Sequence, residues 1–331
     1  MLRSTGYQHQ GISMRAMFTD AEFIELWKEH NSPAKMAKAT GVPERLIYRR
    51  RNDVQNRVGI ILATHKETFT ASPVRSKSEL GIQNGTVIVF SDAHFWPGIR
   101  TTAFQGLLWA IEKFKPKAVI CNGDAFDGAS ISRHPPLGWT RTPSVIDELN
   151  ACKEMLGEIS ELAKKMRPNV KLMFTMGNHD ARYEMRLAAN APQYVHTPGF
   201  KLSDHFPEWS FCMSTWVTDD VVVKHRFKGG VHATHNNTVG AGKSIVTGHL
   251  HSLKVAPYAD YNGNRFGVDT GTLAETNGPQ FDYSEENPQN HRSGFAVLTF
   301  TEGQLLWPEL VHKWSEGKVE FRGEVIDVCA L

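Results

Sequence analysis

From residue 86 onward, short runs of apolar and β-branched residues alternate with longer segments whose apolar positions recur at helical spacing. The runs that predict strands are TVIVF, KAVIC, VKLMFTM, VVVK, SIVT, RFGVDTG and GFAVLTF. The intervening segments that predict helices are TTAFQGLLWAIEKF and SVIDELNACKEMLGEISELAKKM. This alternation of strand and helix predicts an α/β fold in which helices cover a central sheet.

The residues before this region predict helices only. The segment FTDAEFIELWKEH begins at a capping candidate, Thr19, and SPAKMAKATG has Ser32 as its cap and Gly41 at its end. The segment VPERLIYRRRNDV predicts a further short helix. Two short helices joined by a tight turn that contains glycine form the helix-turn-helix pattern. We therefore predict a small all-α helix-turn-helix module over residues 18–58.

Positive charge is concentrated in this module. The first 57 residues contain ten Lys and Arg against six Asp and Glu, whereas the whole chain has a net charge of only +2. Four arginines lie on the last predicted helix: Arg45, Arg49, Arg50 and Arg51. Such a cluster is typical of small domains that touch DNA, so we expect DNA to be a partner of the module. The alternative is a solvated basic helix that packs on the rest of the protein.

Composition sets the remaining boundaries. Residues 1–17 lack the apolar core of a signal peptide and predict a disordered lead. Residues 59–84 are rich in Ser, Gly and charge and predict a linker, so the α/β domain is expected over residues 85–331.

No run of 18 apolar residues occurs, and we expect no membrane partner. The four cysteines are isolated, which favours reduced thiols and a cytoplasmic location.

Metal-ligating residue types follow five of the predicted strands. The strand ends carry the motifs SDAH, NGD, GNHD, a single His and GHLH, in that order. In DxH and HxH, positions i and i+2 of an extended segment point the same way, so both side chains reach one metal cluster. The strand ends therefore predict an oxygen- and nitrogen-rich metal site. Its candidate ligands are Asp92, His94, Asp124, Asn178, His225, His249 and His251.

The order of these motifs resembles that of the calcineurin-like metallophosphoesterase superfamily. The motifs follow one another between residues 86 and 251. The arrangement is also similar to phosphoesterases often encoded by bacteriophages and to the repair exonucleases of the same superfamily. The resemblance implies two mixed β-sheets in a sandwich flanked by helices, with two metals between the sheets. For a phage-encoded protein, it implies a location in the host cell cytoplasm.

The resemblance also implies a role for each residue. One metal would be bound by Asp92, His94 and His251, the other by Asn178, His225 and His249, and Asp124 would bridge the two. A hydroxide shared by the two ions would attack the phosphorus of a phosphodiester. His179 would stabilise or protonate the leaving oxygen, with Asp180 orienting its surroundings. The mixed ligands favour Mn as the working ion, with Fe, Zn and Mg as the alternatives.

The fourth motif departs from the family pattern. The family usually has His-Gly at this position, whereas Arg226 follows His225 in this chain. His235 is the rival ligand, and His232 is a weaker one. His225 is favoured because it ends a clear strand and because 24 residues separate it from His249, a distance that resembles the family's.

Three further features lie close to the motifs. Asp127 and Arg182 are candidates for binding phosphate or supporting ligands, with structural salt bridges as the alternative. The loop SRHPPLGWTRTP, which carries His134, Trp139 and Arg141, is a candidate for shaping substrate access, and a packing loop is the alternative. The segment RFKGGVHATHNN predicts either a groove that holds phosphate or a simple turn.

A hydrolytic site joined to a DNA-touching module predicts a phosphodiesterase that acts on DNA, that is, a nuclease. The runner-up hypothesis is an enzyme for nucleotides or small phosphate esters in which the module serves assembly. A third hypothesis is a DNA-binding adaptor whose metal domain is structural. His179 argues against this adaptor, because a purely structural metal site does not need it.

Overall fold

The computed structural model describes residues 18–60, 62, 77–134, 138, 141–285 and 287–329. The chain divides into two compact units, Met1–Ser72 and Pro73–Leu331. Residues 1–17, for which the sequence predicts a disordered lead, lie outside the described residues, and so does most of the predicted linker.

The described residues of the first unit form three helices, where the sequence predicts helices. They are α1 (Asp20–His30), α2 (Pro33–Thr40) and α3 (Glu44–Val58). Thr19 caps α1 in a reciprocal pair with Glu22, because the Thr19 hydroxyl accepts the Glu22 N–H and the Glu22 carboxylate accepts the Thr19 N–H. Gly41 ends α2 with a φ of 71°, which glycine adopts without strain. The core of the unit consists of Phe23, Trp27, Met36, Val42, Ile47, Val54 and Leu62.

The second unit alternates strands and helices before it ends in strands. Its longer helices are α4 (Thr102–Phe114), α5 (Val145–Met166), α6 (Asp180–Asn190) and α7 (Ala233–Ala241). Its first eight strands are β1 (Ser78–Glu79), β2 (Gly85–Phe90), β3 (Ala118–Cys121), β4 (Lys171–Thr175), β5 (Ser210–Cys212), β6 (Thr215–Thr218), β7 (Val221–Val223) and β8 (Ser244–Thr247). The remaining strands are β9 (Lys254–Asp260), β10 (Gly263–Asp269), β11 (Gly294–Thr301), β12 (Gln304–Leu305), β13 (Glu309–Ser315), β14 (Lys318–Phe321) and β15 (Glu324–Asp327).

Within the described part of the chain, these strands form two mixed sheets. The larger sheet has the order β15-β14-β13-β11-β2-β3-β4-β5, with β12 paired to β11. Strands β2 to β5 are parallel in it, and β11 joins them antiparallel to β2. The smaller sheet has the order β1-β6-β7-β8-β10-β9, with both parallel and antiparallel pairs.

Alternate residues of β2 explain how the layers stack. Val87 and Val89 are fully buried in a cluster that also contains Val223 and Val246 of the smaller sheet. Ile88 belongs to a separate cluster that includes residues of α4 and α5. Because successive side chains of a strand point to opposite faces, β2 is apolar on both faces and lies between the second sheet and the helices. The predicted fold class, two mixed sheets in a sandwich flanked by helices, is confirmed.

The structure also contains elements that the sequence did not predict. Ser78–Glu79, within the predicted linker, pairs with β6, and the nearby Ile82 is buried in the core between the sheets. The strands between residues 309 and 327 follow the last predicted strand, and part of the segment RFKGGVHATHNN is helical, in α7. Among the described residues, no helix is long and apolar enough to cross a membrane.

Candidate metal centre

The seven predicted ligands each follow a strand of one of the two sheets. They are Asp92 and His94 after β2, Asp124 after β3, Asn178 after β4, His225 after β7, and His249 and His251 after β8. The ligand atoms of six of them, all except Asn178, fall into groups that lie close together. Nε2 of His251 lies 3.0 Å from Oδ1 of Asp92, which joins the smaller sheet to the larger one. Nε2 of His225 lies 3.1 Å from Oδ2 of Asp124. The rival His235 is instead exposed on α7, with its ring 5.6 Å from that of Tyr258.

Three groups of potential ligand atoms are close enough together to hold an ion. The groups are Asp92, His94 and His251; Asp124, His225 and His249; and His94, Asp124 and His179. Within each group, the atoms lie within 4.8 Å of one another. Asp124 shares one group with His94 and another with His249, so its carboxylate lies between the two sides of the site. Two ions that share a carboxylate ligand need such an arrangement.

Buried atoms without hydrogen-bond partners show that the residues fit metal ions. Nδ1 of His94 donates to Asp127, because a carboxylate can only accept, and this leaves the lone pair of His94 on Nε2. Nδ1 of His225 likewise donates to the carbonyl oxygen of Asn122 over 2.7 Å. The Nε2 atoms of both histidines, and Oδ1 of Asn178, are buried and have no hydrogen-bond partner among the described residues. These free acceptors suit divalent ions.

Electrostatics within the site oppose the effect of burial. Burial alone would raise the pKa of Asp92, but His251 and His225 outweigh it and lower the pKa to about 2. Burial alone would lower the pKa of His225, but Asp124 and Asp92 outweigh it and raise the pKa to about 10. The Asp92 carboxylate is therefore ionised at neutral pH, and protons compete with metal for the imidazole nitrogen of His225.

Asp180 lies behind the site and organises its backbone. Its side chain is fully buried, and its oxygens accept the N–H groups of Asp124 (2.7 Å), Gly177 (2.9 Å) and Phe126 (3.1 Å). Burial, together with the charge of Asp124, raises the pKa of Asp180 to about 7. Asp180 thus joins two loops through hydrogen bonds to their main-chain N–H groups.

His179 belongs to a hydrogen-bonded group with the two flanking candidates. Its Nδ1 donates to Oδ1 of Asp127 over 2.8 Å, and the guanidinium of Arg182 lies 3.1 Å from its Nε2. Arg182 also donates to the carbonyl oxygen of Asp127 over 2.9 Å. The imidazole is therefore held in one orientation, with Nε2 and a cation side by side on the same edge.

Glycines before the ligands allow the loops to approach one another. A Cβ at Gly177 would lie 2.1 Å from Oδ1 of Asp124, and a Cβ at Gly248 would lie 2.5 Å from Oδ2 of Asp92. No larger residue fits at these positions without moving a ligand.

Several candidate ligands also have a left-handed backbone conformation, which residues other than glycine rarely adopt. The φ angles are 52° at Asp92, 39° at His94, 54° at Asp124, 73° at His249 and 54° at His251. These five residues carry backbone strain in the parts of the chain that aim ligands at the site.

Sequence reasoning missed a histidine beside the first group. The ring of His291 lies 4.5 Å from that of His251 and 5.2 Å from that of Phe281. Burial and the nearby His251 lower the pKa of His291 to about 4. His291 lies in an irregular segment between β10 and β11 and not at a strand end, so its position in the sequence gives no signal.

The four predicted DNA-binding arginines differ in exposure. Arg45 and Arg49 are exposed, and the guanidinium of the half-buried Arg51 lies 5.0 Å from the centre of the Trp27 ring. Arg50 is only 3% exposed, and it donates to Asp20 over 2.6 Å and to the carbonyl oxygen of Phe18 over 3.0 Å. The burial of Arg50 removes it from the surface that could meet a ligand.

The loop between β3 and α5 has two exposed candidates, His134 and Arg141. Its third candidate, Trp139, lies outside the described residues.

Two facing mixed sheets that hold linked sets of carboxylate, amide and imidazole ligands define a metal-binding α/β sandwich. The chain belongs to the calcineurin-like phosphoesterase family, whose model matches residues 85–268. It is therefore a metallophosphoesterase, a hydrolase that acts on phosphoesters with divalent metal ions.

Two solved structures are similar to the chain at low sequence identity. Vps29 from Chaetomium thermophilum is 9% identical with a TM-score of 0.33, covering 73% of this chain and 97% of its own. A protein serine/threonine phosphatase from Saccharomyces cerevisiae, described as similar to human phosphatase PP5, is 12% identical with a TM-score of 0.36. That match covers 90% of this chain and 91% of the phosphatase. No curated protein sequence matches the chain.

Proposed function

We propose that the protein is a phosphodiesterase that uses two metal ions, Mn in the first instance, and cleaves DNA. The observation that carries the proposal is the position of Asp124 between two groups of ligand atoms, with His179 in reach of both Asp124 and His94. When bound, the ions would supply Lewis-acid activation of water and of the phosphate group. The chain's own residues would supply orientation and a proton.

We infer that His179 acts on the leaving oxygen. Because Asp127 accepts the Nδ1 proton, Nε2 is the nitrogen that can exchange a proton with a substrate. The guanidinium of Arg182, beside Nε2, can bind an oxygen of the same phosphate group.

A DNA substrate is supported by the exposed face of α3. Arg45, Arg49 and Tyr48 are exposed on neighbouring turns of this helix, and Tyr48 is 47% exposed. Arginines on one helix face can bind phosphates along a nucleic-acid strand, and an exposed aromatic ring adds a surface for stacking.

The test is to incubate the purified protein with Mn and single-stranded, duplex and nicked DNA, a cyclic nucleotide and bis(4-nitrophenyl) phosphate. We expect cleavage of at least one DNA form that stops with chelator and returns with Mn. The Asp124→Ala variant, prepared in parallel, excludes a contaminating nuclease. Hydrolysis of nucleotides without cleavage of any DNA would favour the alternative of an enzyme for small phosphate esters. Full activity after thorough chelation would contradict a mechanism that depends on metal ions.

A further inference from the structure

A small pocket opens beside His249. Its walls include Arg226, Phe227, Lys228, Asn237 and His249. His249 also belongs to the second group of potential metal ligands. A molecule in this pocket would therefore lie beside an imidazole that is a candidate metal ligand.

The pocket has two positively charged side chains and no negatively charged one to balance them. It contains the guanidinium-bearing Arg226 and the ammonium-bearing Lys228, and none of its lining residues, all of which are described, is acidic. None of the ion pairs within the described part of the chain involves Arg226 or Lys228. Two unpaired cations in a concave site attract an anion and have no competing partner within the pocket.

The shape of the loop is fixed by its neighbours. The backbone N–H of Lys228 donates over 2.9 Å to Oδ1 of Asn237, which is only 2% exposed. The ammonium group of Lys228 rests against Gly240 of α7, where a Cβ would lie 2.5 Å from Nζ. Arg226 directly follows the ligand His225, so its backbone is held by the site itself.

Phe227 adds an aromatic surface at the mouth of the pocket. Its ring is 46% exposed, and Nζ of Lys228 lies 5.7 Å from the ring centre. An exposed ring next to two cations is the combination by which proteins bind a nucleic-acid strand, with stacking on a base and contact to the backbone phosphates.

We propose that this pocket binds a second phosphate group, adjacent to the scissile one on the same strand. The substrate class is then an oligonucleotide with at least two phosphates, and Arg226 and Lys228 determine the preference for it. This inference rests on the proposed phosphodiesterase function. It also explains the departure from the family's His-Gly motif, because Arg226 stands where a glycine would give no cation.

The experiment compares thymidine dinucleotides with no terminal phosphate, with a 5′-phosphate and with a 3′-phosphate, using the full chain with Mn. We expect kcat/KM to be at least tenfold higher for one phosphorylated form than for the unphosphorylated one. The double variant R226A/K228A should lose this preference, and R226K should keep part of it. The matched control K153A removes an exposed cation on α5 and should keep the full preference.

A second measurement separates the pocket from the chemistry. Equilibrium binding of the same dinucleotides to the chelated protein should show the same preference in the wild type and its loss in R226A/K228A. If no phosphoester is hydrolysed, the proposed function fails, and this binding ratio still decides the pocket. A wild type without preference in binding and turnover, or a preference that survives in the double variant, overturns the inference. Unchanged thermal unfolding verifies that the variants fold.

Discussion

Oδ1 of Asp127 lies 2.8 Å from Nδ1 of His179, and the same oxygen lies 2.8 Å from Nδ1 of His94. Burial would raise the pKa of Asp127, but the two histidines outweigh it and hold the pKa well below its usual range. One ionised carboxylate thus sets the tautomer of a candidate ligand and of the candidate acid together. Positioning of the proton donor and of the ligand is consequently coupled.

The variant Asp127→Asn should therefore affect both activity and metal binding. The amide keeps the size of the side chain but loses the charge, and its NH2 group cannot accept a hydrogen bond from an imidazole. We expect activity and metal affinity each to fall by about 10–100-fold, the usual effect of removing a group that supports a ligand. Turnover of bis(4-nitrophenyl) phosphate and elemental analysis measure the two effects. The control is Asp219→Asn, which removes the charge of an exposed aspartate. Wild-type activity and metal binding in Asp127→Asn would contradict the coupling.

His179→Asn should separate chemistry from metal binding. If His179 donates a proton to the leaving oxygen, the rate should fall by about 10²–10⁴ while the metal content stays unchanged. A nitrophenolate leaves readily without a proton, whereas a nucleoside alkoxide does not, so the loss should be larger on a dinucleotide. Equal losses on both substrates would instead indicate that His179 orients the phosphate, and loss of metal would make it a ligand.

Asp124→Ala should lose both metals or nearly all activity, because its carboxylate lies between the two ligand groups. His225→Ala should lower metal content and activity far more than His235→Ala, since His235 is exposed on α7. Metal content by elemental analysis and turnover of the nitrophenyl ester rank the three variants. The reverse order of the two histidine variants would move the fourth motif to His235.

The exposed and buried arginines of α3 should respond differently. R45A/R49A should weaken DNA binding and flatten its salt dependence, with a slope reduced by up to about 2 when both contact phosphates. R50A should instead destabilise the helical unit, because Asp20 loses its buried partner. Fluorescence anisotropy at several salt concentrations and thermal unfolding distinguish the two effects. A salt slope unaffected by R45A/R49A would assign the unit to assembly.

Glu148 on α5 should make stability depend on pH. Its buried carboxylate accepts the N–H groups of Gly128 (2.6 Å) and Ala129 (3.0 Å), and burial followed by the charge of Asp127 raises its pKa to about 7. The ordinary pKa of a glutamate is 4.5, so between pH 4.5 and about 7 the folded state keeps a proton on Glu148 that the unfolded state has lost. This group therefore lowers the free energy of unfolding as pH rises, by up to about 1.4 kcal/mol per pH unit.

Urea unfolding of the chelated protein at pH 5, 6 and 7 measures this dependence. Glu148→Gln cannot ionise, so its unfolding free energy should depend less steeply on pH than that of the wild type, although it loses one backbone acceptor. Glu154→Gln, on the exposed face of the same helix, should keep the wild-type slope. If the unfolding free energy of all three proteins has the same slope against pH, Glu148 does not hold a proton in the folded state over this range.

The sequence predicted the main strands and the ligand motifs, but it did not predict several contacts that depend on tertiary structure. The spacing of DxH and GHxH predicted that both side chains of each motif reach one metal cluster, and the resemblance to the family placed Asp92 and His251 at the same metal. The spacing did not predict the left-handed backbone at Asp92 and His251. The carboxylate of Asp180 could not be placed, because its partners are backbone N–H groups that no pattern of residue types marks. His291 and Ser78–Glu79 reach their positions through irregular or very short segments, where tertiary contacts outweigh local preference. The burial of Arg50 depends on Asp20, a partner 30 residues away.

The strained ligand residues have a consequence for the lifetime of the chain. Each left-handed non-glycine residue costs about 1–2 kcal/mol, and in the chelated protein no bound ion offsets this cost. Loops with low local stability open first, and opened loops are where proteases cut. Limited proteolysis should therefore cleave the segments around Asp92, Asp124 and His249 sooner in the presence of chelator. A cell that becomes short of the metal would then degrade the idle protein faster, so metal supply would set the amount of the protein as well as its activity.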